Sequence, residues 1–169
     1  MSHFSDLVNT GVDYAQFIRQ GDDEQIQYLL NMQSKTEQAD FLSAELDTEI
    51  AQLTAPYTLL VAAEMWCPDC LRNVPALQAL CRKAPNIQLR MITRDQATPL
   101  FQQRFGVDKV KIPFVAILDG NLNPIGNFIE RPLVVQNGDE ETLLAYKQGE
   151  HLADTVNDIV MSIRKNQTV

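Results

Sequence analysis

Two cysteines three positions apart lie where a strand-like run gives way to a helical one, in Trp66-Cys67-Pro68-Asp69-Cys70. Residues 58–63 before them are continuously apolar, as in a central strand buried on both faces, and residues 71–80 favour a helix. Unpaired N–H groups and the positive dipole end at a helix start favour thiolate over thiol. The junction therefore predicts a redox-active pair, with Cys67 as the nucleophile and Cys70, one turn into the helix, as the resolving thiol.

Composition and charge exclude several classes of protein. The 169 residues suffice for one domain with an extension, and 45% hydrophobic with 21% charged residues is typical of a globular chain. The net charge of −8, without any Lys/Arg cluster, argues against nucleic-acid and membrane partners. No signal peptide is evident, and no apolar run approaches the roughly 18 residues of a membrane span. We expect a cytoplasmic protein.

The remaining cysteine and the histidines offer little for a metal. A structural zinc site needs four ligands at fixed spacing, but the only further candidates are Cys81, His3 and His151, each far from the pair in sequence. We therefore expect neither metal nor cofactor, apart from the disulfide of the pair itself. Cys81 continues an apolar helical stripe and is expected to be a small buried hydrophobe, with a regulatory thiol as the alternative.

The first third of the chain has helical periodicity. Its first amphipathic segment ends near Gly21. Asp22 is the expected N-cap of a second helix, with Gln25 completing a capping box. A third helix is expected to begin at Ser34 or Thr36.

The rest of the chain alternates between strand and helix patterns. Thr98 followed by Pro99 predicts the N-cap and first residue of a short helix that Gly106 closes. Asp119-Gly120 predicts a hairpin turn. The expected strands are residues 58–63, 87–93, 111–118 and 124–129, and a final helix is expected from about Leu152.

This element order, with Trp-Cys-x-x-Cys at the first strand-to-helix junction and Ile-Pro opening the third strand, resembles the thioredoxin superfamily. Pro75 matches the proline that kinks the active-site helix of that family, and Ile112-Pro113 matches its cis-proline loop beside the cysteines. The resemblance implies an α/β, thioredoxin-like fold, with a central mixed sheet flanked by helices. Residues 55–169 would form this domain, and residues 1–54 a helical N-terminal extension packing on it.

The resemblance also implies an enzyme, a thiol–disulfide oxidoreductase that reduces protein disulfides and is recharged by an electron-donating reductase. Trp66, Ile112 and Pro113 would bind the substrate, although Trp66 also fits a partly buried structural aromatic. Within the motif, Pro68 stiffens the turn. Asp69 brings a negative charge that favours thiol over thiolate, and we therefore expect a reducing pair.

One departure from the family pattern keeps other functions open. Efficient members bury an acid in the first strand, six residues before the first cysteine, but this chain has Val61 there. Glu64 and Asp69 are the nearest carboxylates for proton transfer. The alternatives are a non-catalytic binding or assembly module and a glutathione-linked enzyme for small-molecule thiols, for which Lys109 and Lys111 form a thin basic patch.

Overall fold

A computed structural model of the chain describes residues 3–167, so that residues 1–2 and 168–169 of the predicted extension and domain lie outside the described range. The sheet in this range has four strands: β1 (Tyr57–Ala62), β2 (Ile87–Ile92), β3 (Phe114–Leu118) and β4 (Pro124–Ile129). Their order is β2-β1-β3-β4. β1 pairs parallel with β2, whereas β3 pairs antiparallel with β1 and β4, so the sheet is mixed.

Nine helices accompany the sheet within residues 3–167. They are α1 (Phe4–Thr10), α2 (Tyr14–Ile18), α3 (Asp23–Thr36), α4 (Ala44–Ala51), α5 (Pro68–Lys83), α6 (Arg94–Phe105), α7 (Leu133–Gln136), α8 (Glu140–Lys147) and α9 (Leu152–Gln167). α5 packs against α9 and β2, whereas α6 packs against α1 and β1. All six residues of β1 are buried. Because successive strand residues point to opposite faces, helices cover both faces of the sheet, and the predicted α/β class is confirmed.

The N-terminal helices differ from the prediction in their bounds. The first amphipathic segment is broken into α1 and α2, because Val12 leaves the helical path to pair with Met91 at the edge of β2. The predicted capping box of α3 is present, with Asp22 accepting from the Gln25 N–H at 2.8 Å. The third helix does not begin at Ser34 or Thr36. Both residues belong to α3, and α4 begins after the N-cap Ser43.

An aromatic cluster joins the first helix to the sheet. Phe4 of α1 lies with its ring centroid 6.2 Å from that of Phe101 and 6.2 Å from that of Phe105, both in α6. Phe101 in turn lies 5.1 Å from Phe114 of β3. The N-terminal region therefore packs on the sheet through α6, while the proposed boundary between residues 54 and 55 stays a prediction.

The helix predicted to open at Thr98 begins earlier. Thr93 is the N-cap of α6. Its hydroxyl accepts a hydrogen bond from the Gln96 N–H, and the Gln96 side-chain oxygen accepts one from the Thr93 N–H. This capping box satisfies two free donors at once. Pro99 lies inside the helix, where it removes one intrahelical hydrogen bond. Gly106 closes the helix with a left-handed φ of 64°, as predicted.

The hairpin predicted at Asp119-Gly120 connects β3 to β4. The Asp119 carboxylate accepts from the N–H groups of Asn121 and Asn123, which holds the turn. β3 itself begins at Phe114, three residues later than the apolar run suggested. Across residues 3–167, the helices are all too short or too polar to span a lipid bilayer.

Candidate active site

The two cysteines of the motif occupy the first turn of α5. Cys67 is the N-cap, Pro68 follows as the first helical residue, and the Cys70 N–H donates to Cys67 Sγ over 3.4 Å. Both are free thiols. Cys67 is 6% exposed, whereas Cys70 is 0% exposed. Cys67 is therefore the more accessible of the two sulfurs, while its role as the nucleophile stays a prediction.

The surroundings shift the two thiols in opposite directions. A hydrogen bond from the Cys70 thiol lowers the pKa of Cys67 below its ordinary value, assisted by the Cys70 N–H and opposed by burial and the Asp69 charge. Burial raises the pKa of Cys70 well above its ordinary value, and its hydrogen bond to Cys67 adds to this. Cys67 is therefore the thiol that ionises more readily, whereas Cys70 stays protonated at neutral pH.

The Ile112-Pro113 loop lies beside the nucleophile. Its peptide bond is cis, as the resemblance implies. The Cys67 thiol donates to the Ile112 carbonyl over 3.6 Å, although the two residues are far apart in sequence. Ile112 and Pro113 are themselves buried. The structure thus brings together Cys67, Cys70 and the predicted cis-proline loop.

Trp66 forms an exposed apolar surface next to the cysteines. Trp66 is 56% exposed, and its roles as a substrate-binding surface and as a partly buried structural aromatic both stay predictions. The Arg94 guanidinium carbon lies 5.2 Å from the ring centroid, within the range of a cation–π contact. The contact with Arg94 therefore holds the Trp66 ring at the surface, next to Cys67 in the chain.

Asp69 is enclosed by groups from three parts of the chain, which we call the Asp69 clamp: Arg72, Arg131 and Tyr146. The carboxylate lies 3.3 Å from Nη1 of Arg72 and 3.3 Å from Nε of Arg131. The Tyr146 hydroxyl donates to the same carboxylate over 2.7 Å. Burial, together with the Asp69 charge, raises the pKa of Tyr146, so its hydroxyl stays a donor. The negative charge predicted to disfavour the thiolate is thus paired.

A fully buried asparagine, Asn73, stabilises the Asp69 clamp by hydrogen bonds. Asn73 donates to the Asp69 carbonyl and to the Tyr146 hydroxyl, each over 2.8 Å. Its own carbonyl accepts from the Thr155 hydroxyl of α9 over 2.6 Å. Asn73 therefore ties the first turn of α5 to α8 and α9. The sequence analysis missed Asn73. The signal that could have identified it is a polar amide among the mostly apolar residues on the buried face of α5.

We expect Asn73→Ala to lower the free energy of unfolding by about 2–3 kcal/mol, because it leaves buried donors and acceptors without partners. Urea denaturation measures the loss. Gln78→Ala on the same helix is the matched control, since Gln78 is half-buried, and it should cost less than about 0.5 kcal/mol. Equal losses in the two variants would contradict a structural role for the Asn73 contacts.

The two carboxylates that the sequence suggested for proton transfer both accept hydrogen bonds from other parts of the chain. Glu64 accepts from the Arg94 N–H over 2.9 Å at the start of α6, and Asp69 is held by its clamp.

Val61 is fully buried in β1. Pro75 lies inside α5, as predicted. Its missing N–H leaves the Leu71 carbonyl without its helical donor.

The third cysteine lies away from this chemistry. Cys81 is partly buried at the far end of α5, packed against the core, and burial raises its pKa to about 12. It is therefore a thiol at neutral pH. It packs against the core but is only partly buried, whereas the sequence predicted a small buried hydrophobe, and the alternative of a regulatory thiol stays a prediction. In the part of the chain that the structure describes, no three His, Cys, Asp or Glu side chains are grouped to hold a metal ion.

Comparison with known proteins places this geometry in a family. A family model described as thioredoxin matches residues 11–143. A protein of unknown function from Pseudomonas aeruginosa has 34% identity, with 98% of this chain and 99% of that one covered and a TM-score of 0.94. An HIV epitope-scaffold (4E10) has 33% identity, 97% and 99% coverage, and a TM-score of 0.93. Among curated proteins, none matches the sequence.

Proposed function

The chain belongs to the thioredoxin family, and on this premise we propose that it is a thiol–disulfide oxidoreductase that reduces protein disulfides. One observation carries the proposal: Cys67 lies at the start of α5, where its sulfur accepts from the Cys70 N–H, whereas Cys70 is fully buried in the same helix turn. These surroundings lower the pKa of Cys67 and raise that of Cys70. A dithiol reductase needs this asymmetry, because one sulfur must attack while the other retains its proton until the second step.

The reaction follows from the positions of these sulfurs. The Cys67 thiolate attacks one sulfur of a substrate disulfide, the substrate S–S bond breaks, and a mixed disulfide forms while the leaving thiolate takes up a proton. Cys70 then loses its proton and attacks Cys67 Sγ. The second substrate thiol leaves, and the Cys67–Cys70 disulfide remains. An electron-donating reductase returns two electrons and two protons to restore the dithiol.

The surface around Cys67 supports a protein substrate. Trp66 offers an exposed apolar face, and the cis-proline loop presents the Ile112 carbonyl directly at Cys67. An extended segment carrying a disulfide would lie across Trp66, Ile112 and Pro113.

The proposed mechanism uses only the sulfurs of the chain, so it requires no metal or cofactor. We place the protein in the cytoplasm, with protein disulfides and a reductase as partners and with no nucleic-acid or membrane partner.

The reduction potential of the Cys67–Cys70 pair tests the proposal. Burial and the Asp69 charge oppose the hydrogen bonds that lower the pKa of Cys67, and burial keeps Cys70 protonated. Because both effects favour the dithiol over the disulfide, we expect a two-electron transition near the roughly −270 mV of thioredoxin. The pair is equilibrated in graded dithiothreitol or glutathione buffers and its free thiols are counted. A value above about −180 mV, the range of protein disulfide isomerase, would contradict a reductase.

Turnover assays separate the proposal from its alternatives. A reductase reduces insulin disulfides with dithiothreitol as the electron source. A glutathione-linked enzyme would instead prefer glutathione mixed disulfides of small thiols. A binding or assembly module would form no Cys67–Cys70 disulfide at any buffer potential and would turn over neither substrate.

A further inference from the structure

The residue between the two cysteines carries a charge that works against the nucleophile. Asp69 lies in the first turn of α5, and its charge raises the pKa of Cys67 against the hydrogen bonds that lower it. The Asp69 side chain is 14% exposed, so solvent screens this charge poorly. An unpaired carboxylate at this position would therefore hold Cys67 toward the thiol form.

We propose that Arg131, with Arg72, sets the reactivity of Cys67 by pairing with Asp69, which makes Arg131 a positioning residue of the thiol pair. The inference rests on the proposed function, because it concerns the same nucleophile. Arg131 meets the carboxylate with two nitrogens, Nε at 3.3 Å and Nη2 at 3.5 Å. Burial alone would lower the pKa of Arg131, but hydrogen bonding to Asp69 raises it above the ordinary value.

The loop that carries Arg131 is held in place by several bonds. The Glu130 N–H donates to the Pro113 carbonyl over 2.8 Å, directly after the cis peptide. The Gln136 side chain donates to the carbonyls on both sides, Ile129 at 2.9 Å and Arg131 at 2.7 Å. Glu130 has a φ of 68°, a left-handed conformation that is strained for a non-glycine residue. The surrounding bonds offset this strain and fix Arg131 over Asp69.

Either Arg72 or Arg131 could be replaced to remove a positive charge opposite Asp69, and their surroundings decide which replacement disturbs the fold less. Arg72 donates to the Tyr28 hydroxyl over 2.9 Å, and its guanidinium carbon lies 5.2 Å from the Tyr146 ring centroid. Its side chain is 11% exposed, so replacing it would disturb packing. Arg131 is 30% exposed, and the charged and polar groups that act on it most are Asp69, Glu130 and Tyr146. Arg131 is therefore the better probe.

The test is the rate at which iodoacetamide alkylates the reduced protein at pH 6, with thiolate absorbance at 240 nm followed over a pH series. Because burial raises the pKa of Cys70 and of Cys81, the reaction at this pH reports Cys67. We expect Arg131→Gln to slow alkylation roughly threefold and Asp69→Asn to accelerate it roughly threefold. Arg131→Lys, which keeps the charge, should stay close to the original rate.

The signs of the two changes decide between charge and shape. If the clamp acted only by holding the turn, Arg131→Gln and Asp69→Asn would alter the rate in the same direction, and the proposal would be overturned. An unchanged rate in Arg131→Gln overturns it too. The double variant Asp69→Asn/Arg131→Gln should fall between the two single variants.

Two controls keep the result interpretable. Circular dichroism and urea midpoints show whether each variant is folded. If Arg131→Gln does not fold, Asp69→Asn decides alone, because a slower or unchanged rate in that variant contradicts the proposal. Alkylation needs only the reduced protein and no disulfide substrate. A protein that shows the expected rates but does not reduce insulin would therefore refute the proposed function and leave this inference intact.

Discussion

Replacing Cys67 by serine is expected to reduce insulin-disulfide turnover by roughly a thousandfold or more, to the level of the dithiothreitol background. A serine hydroxyl is not ionised near neutral pH and cannot form the mixed disulfide that begins the cycle. The measurement is the rate of insulin reduction with dithiothreitol as the electron source. Activity above about a tenth of the original would mean that another sulfur attacks the substrate.

The Cys67→Ser variant should remain folded, which makes the loss a chemical one. Cys67 is the N-cap of α5, and its sulfur accepts from the Cys70 N–H. Serine is among the best N-cap residues, so it keeps this contact through its hydroxyl. The matched control is Cys81→Ser, because Cys81 lies outside the site and its raised pKa keeps it protonated. That variant should retain the original turnover.

The sequence predicted those parts of the fold whose signals are local. The Asp22 and Gln25 capping box lies within four residues and was found where expected. The prediction failed at Thr98-Pro99, because a proline at a first helical position is a common pattern but not a required one. The Thr93 and Gln96 capping box, only five residues earlier, forms two hydrogen bonds and starts the helix instead.

The break between α1 and α2 has a local signal in the capping box of Asp13 and Gln16, which helical periodicity alone does not show, but the pairing that accompanies the break is not local. Helical periodicity runs through the segment, yet Val12 bonds in both directions to Met91, each over 2.9 Å. That pairing depends on an edge strand almost eighty residues later, so a periodicity argument has no access to it. A free sheet edge competes with a helix turn for the same backbone groups, and here the edge prevails.

The same distinction separates the predicted part of the candidate site from the missed part. The cysteines and the proline of the cis peptide were found from a motif and a resemblance, both readable along the chain. Arg131 and Tyr146 reach Asp69 from 62 and 77 residues away. No spacing rule connects such positions. The charge of Asp69 was therefore predicted to act unopposed, whereas in the folded chain it is paired.

Replacing Cys70 by serine is expected to stop turnover after one attack and to accumulate a mixed disulfide between Cys67 and the substrate. The first step needs only the Cys67 thiolate, whereas release of the substrate needs the Cys70 sulfur. Incubation with insulin, followed by non-reducing electrophoresis, should show one adduct per protein that dithiothreitol removes. Cys70→Ser/Cys81→Ser should give the same yield, and Cys67→Ser/Cys70→Ser none.

A comparison of serine and alanine at position 70 tests what prepares Cys67 for attack. The hydrogen bond from the Cys70 thiol is the largest cause that lowers the pKa of Cys67. A serine hydroxyl still donates such a bond, whereas alanine does not, so Cys70→Ala should hold more Cys67 as thiol. At pH 6, reaction with Ellman's reagent should be severalfold slower in Cys70→Ala than in Cys70→Ser. Equal rates would assign the lowered pKa to the helix start alone, since the Cys70 N–H remains in both variants.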